Sequence, residues 1–294
     1  MRTLFVSDLD GTLLNSSSIV SDASVRMLNG AVARGAMFTV ATARTPATVV
    51  TLLKNVDMRV PAVVMTGGAF YDFNTSRLTN PRFMDESIAH RLVAEWKASG
   101  LGAFVYTLDH DGILQVYHIG SLNDIERSFM SERCSSPCKI FNVPEDGNSQ
   151  LPADLSRTML FFGMQPTEPA RRLYAKVCKE YDASIIPQFY HDIYGETIGE
   201  LEMFPAEVNK ATALERLASD VGADRLVVFG DNVNDIPMMR LADEAVAVGN
   251  AKDEVKEFAT AVIGTNDTDA VARFILNELR GCFKINVKFG ASDF

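Results

Sequence analysis

Short apolar runs punctuate the first third of the chain. TLFVS at 3–7, a run through Phe38 to Ala41, and AVVM at 62–65 each have the length of a buried strand. Between the first two, Val25, Leu28 and Val32 recur on one side of a helix that Ser21-Asp22 is suited to open and Gly35 to close. Pro46 fits the first turn of a second helix. This alternation predicts parallel βαβ units. It returns late in the chain. Leu214, Leu217, Ala218 and Val221 stripe a helix beginning at Lys210, RLVVF at 225–229 reads as a strand, and IPMMRLA reads as a short helix. AVAV gives another strand, followed by helices near 252–259 and 268–279.

The middle has a different grammar. Ile88 to Trp96 is helical, and FVYTLD and ILQVYHI alternate like antiparallel strands about an Asp111-Gly112 turn. Further strands are expected at 157–163, 184–188 and 199–204, with a helix at 169–180 and a loop over PEDGNSQLPAD at 144–154. The pattern predicts an inserted α+β domain at 84–204 within an α/β, Rossmann-like parallel-sheet core closed from 1–83 and 205–294. The tail CFKINVKF from Cys282 is expected to add an edge strand or to pack on the outside.

Composition narrows the function classes. The 294 residues are 47% hydrophobic and 22% charged, as in ordinary globular proteins, with ample length for a core. No apolar run suits a signal peptide or a membrane span. Lys plus Arg number 28 against 38 Asp plus Glu, a formal charge of −10, which disfavours general nucleic-acid affinity. Four cysteines make no disulfide framework, and a cytoplasmic, reducing setting is expected. Cys134, Cys138, His110 and His118 sit in turn-like contexts that favour loop and surface roles over a zinc site.

The chemistry gathers at strand ends. In DLDGTL at 8–13, Asp8 and Asp10 are two positions apart directly after a buried strand, where extended geometry would aim both to one side. Ligands of open α/β sheets sit at that carboxyl edge. GDNVNDIPMM adds Asp231 and Asp235 after another strand, with Asn232 and Asn234 between them. Such oxygen-rich groups suit a hard cation. Mg²⁺ is preferred because the spacing of a calcium loop is missing and soft ligands are absent from both fragments. TVATAR at 39–44 brings the hydroxyl of Thr42 and the charge of Arg44 to the end of the second strand, and Lys210 opens a helix as a positive group for phosphate oxygens.

DLDGTL, TVATAR, Lys210 in EVNKATAL and GDNVNDIPMM, in that order, resemble the four signature motifs of the haloacid-dehalogenase superfamily. The Cof-like branch, which inserts a large α+β cap between the second and third motifs, is the nearest match, and the likeness spans nearly the whole chain. The resemblance implies that Asp8 is a nucleophile forming an aspartyl-phosphate, and that Asp10 is the general acid and then the base. It implies that Thr42 binds the transferring phosphoryl group and that Lys210 neutralises its oxygens and steadies Asp8. Asp8, the Asp10 carbonyl and Asp231 would hold Mg²⁺, Asp235 would support from the outer shell, Asn234 would touch phosphate, and Thr12 would shape the first turn. Asp10 is expected to carry the proton while Asp8 stays ionised, since closely placed acids can separate their proton affinities.

The sequence departs from the usual branch pattern at Ala43, where Gly is common, and at Gly67 in TGGA, where relatives offer Asn. Gly67 cannot donate that side-chain hydrogen bond, so substrate positioning beside the core is expected to differ. TNDTDAVA at 265–272 loosely resembles the family's acidic-Gly-Val-Ala ending, with Asp269 and Ala270 altering its middle. Arg44 and Glu202 are candidate substrate contacts, as is a loop carrying Tyr190, His191 and Tyr194. The expected reaction is Mg²⁺-dependent hydrolysis of a small phosphorylated metabolite, a sugar phosphate first, with no nucleic-acid, membrane or obligate protein partner. A phosphomutase and a catalytically silent phosphometabolite-binding protein are the alternatives.

Overall fold

The structure, a computed structural model, describes residues 1–134, 136–181, 183–192 and 195–281, with no side-chain description at 191, 192, 195 and 196. The expected tail strand from Cys282, the side chain of His191 and the whole of Tyr194 therefore lie outside the described residues. In chain order the elements are β1 (Thr3–Ser7), α1 (Asp22–Val32), β2 (Met37–Val40), α2 (Pro46–Leu52), β3 (Ala62–Val64), β4 (Ala69–Asp72) and β5 (Arg77–Thr79). Next come α3 (Glu86–Ser99), β6 (Ala103–Leu108), β7 (Leu114–Ile119), α4 (Asp124–Ser131), β8 (Lys139–Phe141), β9 (Thr158–Pro166), α5 (Thr167–Glu180), β10 (Ile185–Asp192) and β11 (Gly195–Pro205). The chain continues with α6 (Lys210–Asp220), β12 (Arg225–Gly230), α7 (Ile236–Met239), β13 (Glu244–Ala247), α8 (Asp253–Phe258), β14 (Ala261–Val262) and α9 (Ala270–Leu279).

Two compact units divide these elements: Met1–Thr75 with Asn209–Phe294, and Ser76–Val208. The first is built on a five-stranded sheet in the order β14-β13-β12-β1-β2. All of its pairings are parallel, with Ser7 opposite both Phe229 and Val40. Leu4, Phe5 and Val6 in the central strand have no solvent exposure, which is why this strand is a continuous apolar run and not an alternating one. Helix α1 opens where Ser21 Oγ accepts from the Ser24 N–H at 3.0 Å. Its cap is held in turn by Asp269, which accepts from the hydroxyls of both Ser21 and Ser24. β3 meets the sheet through one parallel bridge, Ala41 to Val63, and pairs antiparallel with β4.

The second unit is a six-stranded mixed sheet in the order β10-β11-β9-β6-β7-β8. One face packs on α3 and α5 through Trp96, Val105, Phe161, Leu173, Val177 and Leu201. Strand parity puts Tyr106, Lys139, Glu200 and Glu202 on the other face. There Lys139 is almost fully buried, its Nζ 5.1–5.5 Å from the ring centroids of Tyr106, Phe129 and Phe141. Burial drops its ammonium to about 7. Burial, with Glu200 beside it, lifts the Glu202 carboxyl to about 8. Tyr190 belongs to strand β10 and not to a loop, because its residue pairs with Glu200 in the ladder; its hydroxyl donates to Gln188.

Candidate active site

The register of the first sheet decides what meets. Because Ser7 lies opposite Phe229 on one side and Val40 on the other, the residues that follow all leave at the carboxyl edge: Asp8, Asp231 and Thr42. The Asp8 N–H donates to the Phe229 carbonyl at 3.0 Å, extending the ladder one residue beyond the strand. The chain then turns through Leu9–Leu13, closed by the Leu14 N–H on the Leu9 carbonyl at 2.9 Å. Gly11 carries the turn at φ 75°, and a Cβ there would stand 2.6 Å from Asp231 Oδ2. Only glycine lets the two acidic loops approach this closely.

Lys210 is the first residue of α6, whose opening is capped by Asn209 Oδ1 accepting from the Thr212 N–H at 2.8 Å. Its ammonium donates to Asp8 Oδ1 at 2.5 Å and to Asp235 Oδ1 at 2.9 Å. All three side chains are buried. Asp235 Oδ2 accepts from the N–H groups of Asp231 and Asn232, both at 3.2 Å, so both of its oxygens are engaged. Thr12 Oγ1 donates to Asp231 Oδ1 at 2.8 Å. One oxygen from each of Asp8, Asp231 and Asp235 lies within 4.8 Å of the others.

Electrostatics follow from this crowding. Burial lifts the Asp8 carboxyl to about 7 against the pull of Lys210, with Asp235 and Asp231 adding to the rise. Asp231 is also raised by burial. Burial opposes the charge on Lys210, but the Asp8 and Asp235 carboxylates overcome it and hold the ammonium above the usual lysine range. Once ionised, three carboxylates gathered around one ammonium carry more negative charge than Lys210 offsets. An all-oxygen cluster with that imbalance fits a hard divalent cation.

Asp10 stands apart. Its side chain is 53% exposed and accepts both nitrogens of the Arg44 fork, at 2.8 Å from Nε and 2.6 Å from Nη2. The hydrogen bond to Asp10 in turn raises Arg44 above its ordinary range. The environments of Asp8 and Asp10 thus differ through burial and through Arg44. Arg44, a candidate substrate contact, has its fork on Asp10 in this structure.

Thr42 is buried at the end of β2, where its Oγ1 accepts from the Arg44 N–H at 3.1 Å. Asn234 is exposed on the loop between Gly230 and Ile236. Gly67, at φ 98°, packs against the start of α6, and a Cβ there would lie 2.4 Å from the Asn209 carbonyl oxygen. A side chain in place of this glycine has no room in that backbone path. The neighbouring Thr66 holds φ 59° with its hydroxyl buried and without a hydrogen-bond partner among the described residues. Two supports add to this: Thr12, expected only to shape the first turn, and Asn250, which the sequence analysis does not single out. Thr12 orients Asp231, and Asn250 Nδ2 donates to the Gly11 carbonyl at 2.7 Å. A hydroxyl two positions after Asp10 was a visible signal for Thr12, whereas nothing local marked Asn250.

Among the described residues, no helix is long and apolar enough to cross a membrane. The sequence model of a family described as haloacid dehalogenase-like hydrolase matches residues 5–275. The 5-amino-6-(5-phospho-D-ribitylamino)uracil phosphatase YwtE of Bacillus subtilis is 30% identical over 292 residues, covering 93% of this chain and 97% of that protein. The pyridoxal phosphate phosphatase YbhA of Escherichia coli is 23% identical, covering 92% of this chain and 97% of its own length. In fold, a haloacid dehalogenase-like hydrolase from Bacteroides thetaiotaomicron superposes with a TM-score of 0.75 at 22% identity, over 94% of this chain and 98% of that one.

Proposed function

Because the chain belongs to the haloacid dehalogenase-like hydrolases, in their Cof-like branch, and is a phosphatase of that kind, we propose that it hydrolyses a small phosphomonoester by way of Asp8. The substrate class is a phosphorylated sugar or polyol. The activity for which the YwtE relative is named, on a phosphoribityl compound, supports that choice. The observation that carries the reading is the buried contact of Lys210 with Asp8 and Asp235 beside Asp231.

Asp8 and Asp231, with the carbonyl of Asp10, would hold Mg²⁺, which when bound supplies positive charge opposite the phosphate oxygens. Asp235 is better placed as a support, because Lys210 and two backbone N–H groups already occupy its oxygens. Lys210 fixes Asp8 Oδ1 and so orients the other carboxylate oxygen toward phosphorus. A bond forms from that oxygen to phosphorus as the ester P–O bond breaks, giving an aspartyl-phosphate. Asp10, released from the Arg44 fork and protonated, gives its proton to the leaving oxygen. It then takes a proton from the water that attacks the aspartyl-phosphate, returning free Asp8 and inorganic phosphate. Thr42 donates its hydroxyl to the transferring group, and Lys210 offsets its growing negative charge.

Phosphate release is measured across sugar phosphates, polyol phosphates including 5-amino-6-(5-phospho-D-ribitylamino)uracil, and pyridoxal phosphate, with Mg²⁺ and then with EDTA. Turnover is expected on a sugar or polyol ester, lost in EDTA and lost in a folded Asp8→Asn variant. Undiminished activity of Asp8→Asn would reject the nucleophile, and turnover confined to pyridoxal phosphate would reject the substrate class.

A further inference from the structure

Of the fragments that stand out in the sequence, TNDTDAVA at 265–272 takes no part in the proposed reaction. In the fold three of its polar side chains turn to one partner, the stretch of chain that leaves the Leu9–Leu13 turn. Asn266 Nδ2 donates to the Leu14 carbonyl at 2.9 Å. Asp267 accepts from the Ser16 N–H at 2.8 Å and from the Ser16 hydroxyl. Asp269 accepts from the hydroxyls of Ser21 and Ser24 where α1 opens.

A second asparagine joins this rail to the turn itself. Asn250, on the loop after β13, donates from Nδ2 to the Gly11 carbonyl at 2.7 Å, and its Oδ1 accepts from the Asn266 N–H at 2.9 Å. The path from Gly11 through Asn250 and Asn266 to Leu14 thus closes across the turn. Its two contacts with the turn join residues 239 and 252 positions apart, so neither is a local cap. The Leu14 N–H already lies on the Leu9 carbonyl, which leaves both backbone polar groups of Leu14 engaged.

What this fixes follows from where Gly11 stands. With φ at 75° and no Cβ, it is the freest joint of the turn. The peptide before it carries the Asp10 carbonyl, and the peptide after it carries its own. Untethered, the two planes rotate separately about the glycine. A donor on the Gly11 carbonyl pins the second plane and so narrows the directions open to the first. The residue type matters as well, since a carboxamide offers a donor and an acceptor without charge. An acid at position 250 would add to the crowding of Asp8, Asp10 and Asp231, and a lysine there would compete for their oxygens.

On the reading that Asp8, Asp231 and the Asp10 carbonyl hold Mg²⁺, we propose that Asn250 and Asn266 are positioning residues that keep the Asp10 carbonyl aimed at the cation. Asp267 and Asp269 anchor the chain beyond them.

Two measurements on the full chain read this without turnover. Hydrogen exchange in EDTA follows the Leu14 amide, and electron paramagnetic resonance titrates Mn²⁺ as the probe cation. Asn250→Ala and Asn266→Ala should each speed exchange of that amide several-fold and weaken Mn²⁺ binding by roughly tenfold. Ser16→Ala, which trims the same rail beyond the turn, should leave both at wild-type values. Mn²⁺ affinity unchanged in the asparagine variants would overturn the proposal, whether or not exchange quickens. Equal losses in Ser16→Ala would overturn it too, because they would mark a general loosening. Wild-type protein that binds no Mn²⁺ would sink the ligand reading beneath it, whereas Mn²⁺ bound equally by every variant would sink only the role of the asparagines.

Discussion

Adding one methyl group at Gly67 should damage both stability and turnover. An ideal Cβ there falls 2.4 Å from the Asn209 carbonyl oxygen and 2.8 Å from its carbon, with Ala213 Cβ at 3.0 Å. Ordinary contact begins near 3.4 Å, so the backbone of Asn209 must retreat by about 1 Å (3.4 − 2.4). At φ 98° an L-residue carries a conformational penalty of roughly 1–2 kcal/mol, and overpacking against backbone adds about 1–3 kcal/mol. A loss of about 3 kcal/mol corresponds to a fall of roughly 6–12 °C in melting temperature for a unit of this size. Asn209 caps α6 and precedes Lys210, so the same shift moves the ammonium off Asp8 and Asp235. A misplacement of that order can cost about 100-fold in rate. Thermal melts and kcat on the best substrate measure the two effects, with Gly30→Ala as control. That variant adds the same atom inside a helix where nothing lies within 4 Å, and should melt no lower than wild type. A Gly67→Ala protein that melts within 1 °C or so of wild type and keeps its kcat would refute the steric reasoning.

Other expectations are as direct. Thr12→Val removes the hydroxyl that holds Asp231 Oδ1 and should raise the Mg²⁺ concentration needed for half-maximal turnover roughly tenfold; an unchanged requirement counts against Thr12 as a support. Lys139 has a folded pKa of about 7 against 10.5 in the open chain, so the native state binds fewer protons between those values and stability rises with pH across that window. Lys139→Met should therefore be more stable than wild type at pH 7 by on the order of 2 kcal/mol, with the gap closing toward pH 10 in urea titrations. Glu202 has the opposite sign. Its folded value of about 8 lies above 4.5, the native state binds more protons in between, and stability falls as pH rises through that range. Glu202→Gln should flatten the fall, and a variant whose urea midpoint tracks wild type from pH 5 to 8 would exclude Glu202 as its source.

Much of the arrangement was legible in the chain because the informative residues sit next to strong local signals. TLFVS and RLVVF are short apolar runs bounded by acids and glycine, and they become neighbouring parallel strands whose shared edge carries Asp8 and Asp231. Lys210 was readable for the same reason, as the opening of an amphipathic helix. Less local features were not readable. Strand β8 has three residues and pairs parallel with β7, so its register comes from the sheet and not from its own pattern. Helix α4 is only eight residues long, so the stripe of Ile125, Phe129 and Met130 that packs inward is too short to stand out beside its Asn123–Glu126 capping box. The Arg44 fork on Asp10 joins residues 34 positions apart through a turn whose shape is dictated by Asp231 against Gly11. Spacing in a strand would have aimed Asp10 beside Asp8; the turn at Leu9–Leu13 sends it outward instead.

The placement of β1 between β2 and β12 has a consequence during synthesis on the ribosome. Ser7 is translated 222 residues (229 − 7) ahead of its partner Phe229, roughly ten to forty seconds at ordinary elongation speeds. Throughout that interval one side of β1, with its buried Leu4, Phe5 and Val6, has no neighbour, whereas the contiguous segment Ser76–Val208 completes its own six-stranded sheet before β12 is made. A nascent chain of this protein thus exposes an adhesive edge late into its production, the condition under which truncated products pair with one another and aggregate.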